Sequence, residues 1–136
     1  MEPSEISALD LIDQYAKEIE MDTNIDRLNV MDKQLSSPNI KHKWLFRVIK
    51  VKRNLLRLQE AKEMMILQEM ESNTLRLSKA IIMSRVESNV EAKKLTRQIK
   101  EHELLIEYLD RAVDKIFSQM GFDFRNLVEL IKLETL

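Results

Sequence analysis

Apolar residues recur at alternating spacings of four and three along two long stretches of the chain. The first runs Trp44, Val48, Val51, Leu55, Leu58, Lys62, Met65, and the second Leu95, Ile99, His102, Ile106, Leu109, Val113, Ile116, Met120. A repeat of about 3.5 residues holds one stripe on one helix face, so each stretch predicts a coiled-coil-like helix. No stretch carries a strand signal. Ser7 with Asp10 three residues on reads as a capping box opening a short helix over roughly 8–21. A second acidic helical piece is expected near 24–35. SSPN (36–39) then interrupts, because Pro38 disfavours helix at Ser37 and suits the first turn of the next element. SRVESNVE (84–91) is the expected turn between the long helices. Gly121 sits where a left-handed C-cap would end the second, and Asp123 would cap a final helix carrying Leu127, Val128, Leu130 and Ile131.

The predicted fold class is all-α: a long antiparallel helical hairpin with short N- and C-terminal helices, self-associating. Residues 1–136 form one helical domain, divided into acidic helices (1–36), a basic long helix (38–86), a second long helix (89–120) and a C-terminal helix (123–135). Trp44, Val48, Val51, Leu55 and Leu58 on one helix, with Ile106, Leu109, Val113, Ile116 and Met120 on the other, form the core or oligomer seam. Leu45, Ile49 and Leu56 widen the first stripe, and Leu105, Ala112 and Phe117 the second. That is more apolar surface than a two-helix hairpin buries alone, which predicts self-association. A compact monomeric bundle is the alternative.

Composition sharpens this picture. The 136 residues include one Gly, two Pro and no Cys, with 33% charged and 44% hydrophobic residues, as in long helices and coiled coils. Without cysteine there is no disulfide, zinc-thiolate site or thiol nucleophile. No apolar run approaches a membrane span, and MEPSEISALD is too acidic for a signal peptide, so a soluble intracellular protein is expected. The net charge of −1 conceals a strong polarity. Residues 1–32 hold nine acids against Lys17 and Arg27, whereas residues 33–59 hold eight bases and no acid.

On a helical wheel Lys43, Arg47, Lys50, Arg53 and Arg57 fall within one arc of about 120°, with Phe46 inside it. Lys41 and Lys52 fall near the apolar arc and must snorkel. Cations about every turn suit the repeating phosphates of a nucleic acid, and Phe46 offers a face for an unpaired base, which favours single strands. Lys43, Phe46, Arg47, Lys50, Arg53 and Arg57 are therefore the candidate DNA-binding set. Two other readings fit the same stripe: pairing with acids of residues 1–32, or a membrane-surface or calmodulin-target helix.

Catalysis finds no support, and the chain is read as a non-enzyme without catalytic residues, metal or cofactor. His42 and His102 lie far apart, one glycine cannot build a phosphate loop, and Glu101, Glu103 and Glu107 have poor same-face spacing. The eight Met residues read as core and interface filler.

The order of these features resembles UvsY-type phage recombination mediators. IDRLNVMDKQLSSPNIKHKWL (25–45) is similar to that family's acidic Ile-Asp segment, Leu-x-x-Pro break and basic helix start. LLIEYLDRAVDKIFSQMGFDFRNLVELIKLETL (104–136) is similar to its C-terminal region. Together these cover about half the chain. LQEMESN (67–73) departs from the pattern: it is acidic and polar where family members carry a basic pair, paired aromatics and a glycine. No binding residue is carried over from that element. The resemblance implies a ring-like, heptamer-like homo-oligomer in the cytoplasm of an infected host cell. It implies binding of single-stranded DNA and loading of a RecA-like phage recombinase onto DNA coated with the phage single-strand-binding protein, without nucleotide hydrolysis. The acidic arm, residues 1–32, would contact either protein or compete with DNA for the stripe. A coiled-coil scaffold without nucleic-acid binding is the alternative function.

Overall fold

A computed structural model describes residues 6–72 and 78–135, which form four helices and no strand: α1 (Ala8–Asp22), α2 (Val30–Glu71), α3 (Lys79–Ser88) and α4 (Val90–Glu134). Helices α2 and α4 are the antiparallel hairpin. Its register shows in Arg27 paired with Glu134, Lys41 stacked 5.6 Å from the Phe117 ring, and Lys52 Nζ 3.5 Å from Asp110. Helix α1 lies along the pair, running with α4 and against α2, and α3 packs on both long helices.

The predicted seams are the core. Of the seam residues, Trp44, Leu109 and Met120 are fully buried, and Val48, Val51, Val113 and Ile116 nearly so. Ile106, by contrast, is half-buried, and its neighbour Leu105, expected only to widen the stripe, takes the fully buried place. Burial fades along α2, where Leu55, Leu58, Lys62 and Met65 are half-buried. Lys62, a cation within the seam, is answered by Glu87 of α3 at 2.9 Å. The N-terminal cap also forms as the sequence predicts, with the Asp10 N–H donating to Ser7 Oγ at 3.2 Å.

Four boundaries differ from the expectation, each for a local reason. The segment over 24–29 is a turn and not a helix. The Asp26 carboxylate accepts from the Leu28 and Asn29 N–H groups, while Asn29 Oδ1 accepts from the Asp26 N–H at 2.8 Å. These side chains satisfy the backbone without a helix.

Pro38 does not open α2 but lies inside it, as its ninth residue. Gly121 does not end α4, and a separate helix over 123–135 does not exist, because α4 runs unbroken to Glu134. A Cβ at Gly121 would meet nothing within 4 Å, so this glycine is an ordinary helical residue. The two extensions sustain each other. The register sets the first turns of α2 beside the last turns of α4, and Val30, Phe124, Leu127 and Ile131 join the common core there. That burial offsets roughly 3 kcal/mol for the proline and 1 kcal/mol for the glycine.

The basic helix ends at Glu71 and not at 86. The expected helix over 73–77 lies outside the described residues, and 79–88 is the separate helix α3. The turn expected in 84–91 is confined to Asn89, whose ψ of 136° breaks the helix and whose Oδ1 caps α4 through the Glu91 N–H at 2.8 Å.

Candidate nucleic-acid interface

The basic stripe of α2 divides into two halves with different surroundings. On the half turned toward α1, Lys43 Nζ lies 3.2 Å from Glu18 and 2.7 Å from Asp22, and Arg47 pairs with Glu18. Asp22 also accepts from Trp44 Nε1 at 2.7 Å. The Arg47 guanidinium stacks 4.8 Å from Trp44 and 5.0 Å from Tyr15, whose rings meet edge-to-face at 5.4 Å. Tyr15, Glu18 and Asp22 recur at helical spacing on one face of α1, so a single helix supplies both aromatic and acid. Pairing with acids of residues 1–32 therefore holds for Lys43 and Arg47.

This cluster is electrostatic as well as apolar. The hydrogen bond from Arg47, with further help from Lys43, holds the Glu18 carboxyl below its ordinary range against a desolvation that opposes it. A carboxyl depressed in the folded state stabilises the fold above its unfolded pKa, and that contribution disappears as pH falls through the folded value. Glu18→Gln is accordingly expected to flatten the acid limb of a melting-temperature profile between pH 5 and pH 2. Glu18 is partly exposed, so the loss at pH 7 is expected to stay at about 1 kcal/mol or less. An unchanged acid limb would show that Glu18 is not an acid-sensitive tie.

The other half faces outward. Lys50, Arg53 and Arg57 are exposed and make no ion pair with any described residue, and Phe46 is 54% exposed among them. Three unanswered cations and a ring thus line about 17 Å of helix. Beside them, Lys50 and Arg57 form the lip of an open groove of about 640 Å³ between α1, α2 and α4. Its walls include Leu11, Tyr15, Asn54, Leu58, Gln98 and His102. The sequence pattern did not single out Asn54 or Gln98 for this role. Each sits one turn from a seam residue, but only the antiparallel register brings them to one groove.

A further apolar stripe runs along the outside of α2, about 140° around the helix from the buried seam. It takes in Leu45, Ile49 and Leu56, which do not widen that seam as expected but stay exposed. Met31, Leu35, Leu45, Ile49, Leu56 and Leu67 are all exposed, Leu35 to 78%. Spacings of three, four and seven residues or their combinations keep them on one face. Among the described residues no helix is long and apolar enough to cross a membrane.

No protein-family model and no curated protein sequence matches this chain. A search of solved structures finds similarity to the bacteriophage T4 recombination mediator protein UvsY, at 18% identity and a TM-score of 0.74. The match covers 90% of this chain and 98% of that one. The chain therefore has a UvsY-type helical fold, in agreement with the resemblance in its sequence.

Proposed function

We propose that this chain is a phage recombination mediator that binds single-stranded DNA on the outward half of the α2 stripe. The observation that carries this reading is the exposed set Phe46, Lys50, Arg53 and Arg57, whose cations make no ion pair with any described residue, on a fold shared with a recombination mediator. Cations track phosphates while the ring accepts a base. Lys43 and Arg47 act differently: they fasten α1 and shape the edge of the stripe. The protein holds a strand in a form that a RecA-like recombinase prefers and loosens the grip of the single-strand-binding protein. It does this without hydrolysing nucleotide itself. The test is recombinase assembly on coated single strands. Added protein is expected to shorten the nucleation lag, and an unchanged lag across a range of protein concentrations would reject the mediator role.

The outer apolar stripe supports self-association into a ring, where modest DNA contacts from each subunit sum to high avidity. Ile49→Asp with Leu56→Asp is expected to reduce the sedimentation mass to the 16.1 kDa monomer while leaving helix content intact. A mass unchanged from the parent oligomer would place the interface elsewhere. A second reading, a coiled-coil scaffold, is favoured by the same stripe. It predicts loss of function with the oligomer but no DNA affinity to lose.

A further inference from the structure

We propose that the groove beneath Lys50 and Arg57 is a nucleotide subsite, which takes one unstacked base of the bound strand while the lip holds its phosphate. This inference rests on the single-strand reading above and extends it from the face of α2 into the cleft between three helices. Four observations converge. The cleft, at about 640 Å³, lies within the roughly 300–1,000 Å³ typical of small-ligand clefts. Its floor joins apolar Leu11 and Leu58 to the aromatic Tyr15, a surface suited to a base but not to a bare phosphate chain. Asn54, half-buried on its wall, carries an amide that both donates and accepts, and its side chain makes no hydrogen bond with any described residue. Its lip is cationic and continuous with Arg53 and Phe46 along α2.

The acid in the groove does not cancel the lip. Glu101 is turned to Arg97, whose Nε lies 3.2 Å from its carboxylate, and its side chain is 17% exposed. His102 points Nδ1 at the Gln98 carbonyl, 2.8 Å away, so Nδ1 donates there. The groove therefore offers a polar rim over an apolar floor, with two free cations at one edge. Such a site distinguishes a base-bearing strand from a phosphate backbone of equal charge, which the open stripe does only through Phe46.

The experiment compares an oligothymidylate with a strand of the same length built of abasic units, by fluorescence anisotropy on the full-length protein. Phe46→Ala removes the ring on the open face, and Asn54→Phe fills the groove. The intact strand is expected to bind at least about fivefold more tightly than the abasic one, the lower bound of one stacked base. That preference is expected to persist in Phe46→Ala, to fall in Asn54→Phe to the part that Phe46 carries, and to vanish when the two substitutions are combined, leaving salt-dependent binding on Arg53 and its neighbours. Gln98→Phe fills the same groove from α4 and gives the same readout should Asn54→Phe not fold. The subsite is overturned if the preference is lost in Phe46→Ala alone, is undiminished by groove filling in the Phe46→Ala background, or is absent from the parent while both strands bind. If neither strand binds the parent at low salt, the single-strand reading itself fails, a result distinct from any of these.

Discussion

Leu109→Asp is expected to abolish cooperative thermal unfolding as followed by circular dichroism. Leu109 is fully buried on α4, in the cluster that holds Trp44, Val48, Val51, Leu105 and Val113. Losing the buried aliphatic side chain costs about 2–5 kcal/mol. Placing a carboxyl there adds at least about 1–3 kcal/mol, because nothing in this cluster offers it a partner and it survives only by staying protonated. Together these approach the 5–15 kcal/mol that stabilises an ordinary domain. Leu130→Asp, on the same helix but 47% exposed, is expected to change the midpoint by a few degrees at most. Equal midpoints for the two variants would contradict the assignment of the seam as the core of the folded chain.

The second large effect concerns binding. The combined reversal Lys50→Glu, Arg53→Glu and Arg57→Glu is expected to weaken single-strand affinity at least about 100-fold at low salt. Each lost phosphate contact is worth roughly 1 kcal/mol or more, and the introduced acids repel the strand besides. Because all three side chains are exposed and unpaired among the described residues, the melting midpoint should hardly move. Lys43→Glu is expected to behave in the opposite way. It sets a third acid against Glu18 and Asp22, so stability falls while strand affinity changes far less. A Lys43 variant that loses DNA affinity with its fold intact would return that residue to the interface.

This contrast also shows where sequence pattern informs and where it stops. The seams were legible because burial on a helix requires an apolar residue every three or four positions, and Leu109 and Trp44 obey that rule. Boundaries were less legible, since Pro38 and Gly121 carry strong local preferences that long-range packing overrides. The antiparallel register that brings the start of α2 beside the end of α4 is not written in either segment alone. The stripe was legible as a charge pattern, but its division was not. Whether a lysine is free or answered depends on which acid the tertiary fold delivers, and α1 delivers Glu18 and Asp22 to Lys43 and Arg47 only. The groove with Asn54, Gln98 and His102 needs three helices to exist and has no signature in any one of them.

The decisive measurement is fluorescence anisotropy of a labelled oligonucleotide, single-stranded and duplex in parallel, across a salt series. The outward half of the stripe predicts tighter binding of the single strand, with a log–log salt slope of about −2 for three phosphates neutralised per chain. Absence of binding to either nucleic acid at low salt, by a protein that still sediments as a discrete oligomer, would contradict it and leave the positive charge of α2 as a device of assembly.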